Sequence, residues 1–119
     1  MNRLDDWLQR ISEGKIDGAL QNEIADMILE LLEQKKASLG TRERILFVQA
    51  VTALSTNVNS IHPPNEAGLR RCLLILRKVA NLEIEPDETF SHRYEAKPAS
   101  HDMLVTTVKI IKGEIAKNW

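Results

Sequence analysis

The chain has few of the residues that stabilise small secreted domains or form tight turns. Its 119 residues include one cysteine, Cys72, together with five glycines and four prolines. A single cysteine excludes an intrachain disulfide, so nothing in the sequence argues for secretion. So few glycines and prolines disfavour an all-β fold, because such a fold needs many tight turns.

Aromatic residues and long apolar runs are scarce as well. The aromatic residues are Trp7, Phe47, Phe90, Tyr94 and Trp119. The core must therefore consist mainly of Leu, Ile, Val and Ala. No uncharged stretch approaches the roughly 20 residues that cross a bilayer, and the N-terminus lacks the apolar segment of a signal peptide. We therefore expect a soluble, cytoplasmic protein without a membrane segment.

Neither sign of charge dominates the sequence. The net charge is −1, with 28% charged and 43% apolar residues, as in ordinary soluble domains. A nearly neutral chain lacks the overall field that would attract nucleic acid or an anionic membrane. Because the length suits one domain and no repeat divides the chain, we expect a single domain over residues 1–119.

The stretch from Ile45 to Leu54 contains no charged residue. On a helical wheel its polar positions Gln49 and Thr52 share one narrow stripe with Thr56, and the remaining circumference is almost entirely apolar. Such a helix belongs at the centre of a bundle. A buried strand is the alternative, but the segment is long for a strand and shows no period of two. The sequence predicts a central helix, capped by Thr41, that runs to about Asn57.

Apolar residues recur at helical spacing in four further segments. Cap and stop residues predict their boundaries: Asn2 and Gly14 for the first helix, Asp17 and Gly40 for the second, Pro64 or Asn65 for the start of the fourth, and Ser100 for the start of the last. The sequence therefore predicts an all-α fold, a compact bundle of about five helices around the central apolar helix.

The fourth helix carries the most basic surface. Two adjacent pairs of basic residues lie seven positions apart, so they project from one side with Leu74 between them: Arg70 and Arg71, then Arg77 and Lys78. With Glu66 they give residues 65–82 a net charge of +3. Such a surface can bind phosphates or an acidic partner. A solvated helix back, with Arg stems covering apolar neighbours, gives the same pattern.

Residues 83–99 show no sustained period and form a predicted acidic loop. A loop of this length usually carries function or lacks order. The net charge between residues 83 and 95 is −4. We take its two rings and nearby carboxylates as candidate anchors for a protein partner: Phe90, Tyr94, Glu85, Asp87 and Glu88. The rings can instead pin the loop to its own helices, and the loop can fold against the basic fourth helix.

The sequence contains no convincing catalytic or metal-binding motif. The carboxylates of the second helix, Glu23, Asp26, Glu30 and Glu33, have no histidine among them. His92 and His101 flank the end of the loop, but without the spacing of three or four residues typical of metal ligands on a helix. Adjacent Ser100, His101 and Asp102 fit a helix start better than a catalytic triad. We expect no enzyme activity, no cofactor and no metal site; a metal-assisted or hydrolytic role of His92 and His101 is the third alternative.

The leading hypothesis is a small interaction or adaptor module that binds another protein. Oppositely charged segments and the aromatic loop support it, as do Leu29, Leu74 and Val105, which lie off the apolar arcs of their helices. A homodimer is the oligomer to expect, because closed symmetric dimers are the commonest. The alternative hypothesis is a binder of the nucleic-acid backbone through the basic side of the fourth helix, with weak sequence selectivity.

Overall fold

The computed structural model describes residues 3–37, 39–59, 66–80 and 100–118. Over these residues the chain forms helices and no strand: α1 (Arg3–Ser12), α2 (Gly18–Gln34), α3 (Thr41–Val58), α4 (Glu66–Ala80) and α5 (His101–Asn118). This architecture confirms the predicted all-α bundle. The predicted boundaries at Asn2, Pro64 and Asn65 lie outside the described residues, as does the predicted loop at 83–99.

The predicted central helix, α3, packs against α2, α4 and α5. Beyond its first turn, only Thr52 and Thr56 are exposed. Phe47 and Leu54 are completely buried, as a helix with neighbours on several sides requires. Gln49 differs from the expected polar stripe, because it is buried rather than solvent-facing. The second helix shares the central position, since α2 also packs against three helices.

Three of the predicted cap and stop residues are confirmed. Gly14 ends α1 with a φ of 73°, a left-handed conformation that glycine adopts without strain. Asp17 caps α2, where its carboxylate accepts a hydrogen bond from the backbone N–H of Leu20 at 2.8 Å. Ser100 Oγ accepts from the backbone N–H of Met103 at 3.2 Å and caps α5. Local side-chain chemistry therefore fixes these boundaries.

The predicted junction between the second and third helices is wrong by several residues. The α2 helix ends at Gln34 rather than Gly40. The N–H of Lys35 still makes the helical bond to Leu31, but the N–H of Lys36 donates to Glu33, three residues back, at 3.4 Å. Gly40 is instead the N-cap of α3, and Thr41 is its first helical residue. The φ of Gly40 is −78°, an extended conformation open to any residue, so its glycine identity does not stop a helix here.

Carboxylates on α2 hold the neighbouring helices in place. The structure shows three of these groups paired with other helices. The pairs are Arg3 with Glu30 at 2.8 Å, Arg10 with Glu23 at 3.2 Å, and Lys112 with Asp26. The indole N–H of Trp7 also donates to Glu23 at 3.0 Å. These carboxylates therefore fasten α1 and α5 to α2.

One polar contact lies inside the aliphatic core. The side-chain amide of Gln21 on α2 donates from Nε2 to Oδ1 of Asn57 on α3 at 2.7 Å. Both side chains are almost completely buried, with exposed fractions of 1% and 3%. A buried amide needs a partner, so this hydrogen bond ties α2 and α3 together at a defined position.

Candidate interaction surfaces

The basic residues of α4 separate into two lines. Arg70 and Arg77 are half-buried and turn toward α1. The guanidinium of Arg77 contacts the carboxylate of Asp5 at 2.6 Å, while Arg70 donates to Ser12 Oγ at 3.0 Å. Arg70 also pairs with Glu66, one turn earlier on α4, at 2.8 Å. Half of the predicted basic surface therefore serves the packing of α1 against α4.

The second line faces outward. Arg71 and Lys78 are exposed, and Leu74 lies between them on the same line with 44% of its surface exposed. The basic surface that faces solvent is thus narrower than the sequence suggested. Salt-dependent binding to a nucleic-acid backbone grows with the number of cations that reach phosphates. The contacts of Arg70 and Arg77 within the chain reduce that number.

The remaining candidate site residues are the partner anchors of the predicted loop and the two histidines that flank its end. The predicted partner anchors Phe90, Tyr94, Glu85, Asp87 and Glu88 lie outside the described residues, as does His92. Their role stays a prediction. His101 uses Nε2 to donate to the backbone carbonyl of Leu32 at 3.0 Å, with Nδ1 at 3.7 Å from Asp102. His101 thus fastens the start of α5 to the end of α2.

Metal-binding and nucleophilic groups are not gathered into a site in the part of the chain that the structure describes. No three His, Cys, Asp or Glu residues there lie close enough together to hold an ion. Cys72 is completely buried, and burial raises the pKa of its thiol to about 12. A thiol of this kind packs as a small apolar side chain and does not act as a nucleophile.

An open depression of about 570 Å³ follows the exposed side of α2. It is lined by one helix: Asp26, Leu29, Glu30, Glu33 and Gln34. Two of its three carboxylates already pair with cations of α1 and α5. Leu29 packs partly against the core, so it gives little apolar surface to a ligand. The depression therefore lacks the convergent polar groups of a specific ligand site.

The α5 helix has two apolar sides. Leu104, Val108, Ile111 and Ile115 face inward and are buried. On a second side of the helix that faces solvent, Met103 is 62% exposed and Ile110 is 60% exposed. They lie two turns apart, with exposed residues of small or medium size beside them. We call this side the outer face of α5, and it comprises Met103, Thr106, Thr107, Ile110 and Gly113.

Sequence reasoning missed the outer face of α5. Met103 precedes the core residue Leu104, and Ile110 precedes the core residue Ile111. In the sequence each exposed residue therefore looks like part of one broad buried face. The seven-residue spacing of Met103 and Ile110 is the signal that separates them, because residues two turns apart share one line along a helix. Of the predicted off-arc residues, only Leu74 is clearly exposed, since Leu29 and Val105 pack partly against the core.

Comparisons with known protein families, with characterised proteins and with solved structures found no match. Within the described residues, no helix is both long enough and apolar enough to cross a membrane. What can be inferred about function therefore comes from the surface of the helices themselves. The largest exposed hydrophobic side chains there are Leu74, Met103 and Ile110.

Proposed function

We propose that the chain is a protein-binding module and that the outer face of α5 is its binding surface. The observation that carries this proposal is the exposure of Met103 and Ile110 on one line of a helix whose buried line, from Leu104 to Ile115, lies in the core. Single exposed apolar residues are common, but neighbouring ones on one face are typical of interaction sites. Burial of both side chains against a partner would remove this apolar surface from water.

The small residues of this face favour close approach by another helix or loop. A side chain built at Gly113 would meet nothing within 4 Å, so the surface there is open. Thr106 and Thr107 lie between Met103 and Ile110 and are also exposed. Small side chains between two larger ones leave room for the side chains of a partner to pack against them.

A protein partner is better supported than a nucleic acid. The five residues of the outer face of α5 are uncharged, whereas phosphate binding needs cations. On α4 the cations that face outward are Arg71 and Lys78, while Arg70 and Arg77 contact α1 or a neighbouring turn. The nucleic-acid hypothesis therefore predicts few phosphate contacts and weak binding.

Affinity capture from the native source tests the proposal. The immobilised chain is incubated with extract, with and without nuclease, and bound proteins are identified by mass spectrometry. We expect a nuclease-resistant protein that is lost with Ile110→Lys and retained with Leu74→Lys. Leu74→Lys is the matched control, because it adds the same charge at an exposed leucine on α4. Circular dichroism verifies that both variants are folded.

Two results would contradict the proposal. Capture that is unchanged by Ile110→Lys would show that the outer face of α5 is not the binding surface. Capture that disappears after nuclease treatment would show that nucleic acid bridges the chain to other proteins, as the alternative hypothesis requires.

A further inference from the structure

One edge of the outer face of α5 carries an ordered pair of charges. Asp102 and Lys109 lie seven residues apart, so they share one line along the helix, next to the line of Met103 and Ile110. The side chain of Asp102 is 98% exposed, and its Oδ1 lies 3.7 Å from Nδ1 of the neighbouring His101. Lys109 is also exposed. The edge is therefore negative at the start of α5 and positive two turns later.

We propose that a second copy of this chain occupies the outer face of α5, with the two α5 helices antiparallel. This inference rests on the proposed function and names its partner. The two-fold axis would pass near Thr106 and Thr107, which are exposed at the middle of the paired segment. Such an interface uses the same surface on both copies, as closed symmetric dimers do.

The antiparallel direction follows from the order of the side chains. When Met103 of one copy lies opposite Ile110 of the second copy, Ile110 of the first also lies opposite Met103 of the second. Asp102 then lies beside Lys109 of the second copy at both ends of the interface. In a parallel pair the two-fold axis runs along the helices and places this edge on opposite sides of the interface in the two copies, so Asp102 and Lys109 would not meet. Antiparallel helices also align opposite ends of their dipoles.

The size of this interface predicts a weak dimer. The paired segment extends from Met103 to Ile110, a rise of about 10 Å along each helix. Stable complexes usually bury more than about 1,200 Å² in total, and one short helix pair buries less than that. We therefore expect a dissociation constant on the order of tens of micromolar. Dimer formation should then depend visibly on protein concentration.

Sedimentation analysis of the full chain, from about 5 μM to about 1 mM, tests the association directly. We expect a monomer–dimer equilibrium that Ile110→Lys weakens at least tenfold and that Leu74→Lys leaves unchanged. A monomer at every concentration would overturn the proposal. A dimer that is lost with Leu74→Lys and retained with Ile110→Lys would also overturn it, because α4 would then form the interface.

Charge exchange tests the antiparallel direction. Asp102→Lys and Lys109→Asp should each weaken the dimer, because each places like charges at both ends of the interface. The double variant should restore association, since it exchanges the two charges and recreates opposite pairs. Restoration also shows that Asp102→Lys has not simply unfolded the start of α5. In a parallel dimer the two edges do not face each other, so unchanged association of both single variants would overturn the antiparallel arrangement.

The two proposals fail in different ways. If the chain stays monomeric while Ile110→Lys still abolishes capture of a different protein, the second-copy inference is wrong and the proposed function stands. If neither association nor capture depends on Ile110, both are wrong. Concentration-dependent association that Ile110→Lys weakens, with the captured protein identified as the chain itself, supports both.

Discussion

At the scale of single residues, the buried thiol of Cys72 has a clear thermodynamic consequence. Burial raises its pKa from 9.0 in the unfolded chain to about 12 in the folded chain. The folded state therefore favours the protonated thiol, and this contribution to stability is fully present below about pH 9. It is lost as the pH rises above 9, because only the unfolded thiol ionises there.

In the unchanged chain the free energy of unfolding should fall as the pH rises from 9 toward 12, and Cys72→Ala should make this fall smaller. Urea denaturation across this interval measures the difference and cancels the titration of lysines that both proteins share. Alkylation of the native thiol should also be slow and should accelerate in denaturant. Rapid alkylation of the folded chain would show that Cys72 is accessible.

The hydrogen bond between Gln21 and Asn57 is the second residue-scale test. Asn57→Ala removes the acceptor at 2.7 Å from Gln21 Nε2 and leaves that donor buried. A buried polar group without its partner costs about 1–3 kcal/mol, so the free energy of unfolding should fall by this amount. Denaturant titration measures it, with Gln34→Ala at an exposed amide as the control. Equal stabilities of the two variants would contradict the prediction.

At the scale of elements, burial varies along α3, so the cost of shortening a leucine side chain should depend on its position in this helix. Leu54 is completely buried, so Leu54→Ala should lower the free energy of unfolding by about 2–5 kcal/mol. Leu46 lies on the same helix but is only partly buried, and Leu46→Ala should cost clearly less. Thermal and urea denaturation compare the two variants. A larger loss at Leu46 would place the packed centre of α3 elsewhere.

The short α1 helix makes charged contacts at both of its sides. Arg3 and Arg10 pair with carboxylates of α2, while Asp5 pairs with Arg77 of α4. These groups are partly exposed, and salt screens such pairs. Amide hydrogen exchange of α1 should therefore accelerate between about 0.05 M and about 1 M NaCl, while α3 stays protected. Equal responses of both helices would show that buried Trp7 and Ile11 alone hold α1.

The sequence predicted the positions of the helices more accurately than it predicted which of their residues are exposed. Gly14, Asp17 and Ser100 act on their own backbone neighbourhood, so their roles are visible within a few positions of sequence. The predicted end of α2 is wrong because Lys35 and Lys36 are good helix formers, and no neighbouring residue indicates the turn that they form.

Surface roles depend on which helix packs beside which. Spacing alone places Arg70 and Arg71 together on α4, but only the docking of α1 turns Arg70 toward Ser12. Similarly, Met103 and Leu104 are adjacent apolar residues, and only the position of α5 on α2 and α3 decides which is buried. A sequence read in isolation contains the helical period but not the direction in which the core lies.

At the scale of the whole molecule, the described core is almost uniformly aliphatic. Leu, Ile and Val fill most of its buried positions, with Phe47 and Trp7 as the large rings. Aliphatic side chains of similar size can replace one another at little cost in stability. Such a core therefore requires that apolar surface be buried, but it selects weakly between different packings of the same helices. The amide pair of Gln21 and Asn57 is directional, and its hydrogen bond is satisfied only when α2 and α3 meet at one height.

This pair therefore has a consequence for how many structures the chain adopts, apart from its effect on stability. Replacing both Gln21 and Asn57 by Leu removes this directional contact and puts apolar side chains in its place. The helices would then lose the contact that rejects a slipped packing of α2 on α3. We expect the double variant to melt normally while its amide resonances broaden or double, as in a protein that exchanges between neighbouring arrangements. A single sharp set of resonances would show that the shapes of the aliphatic side chains alone select one native state.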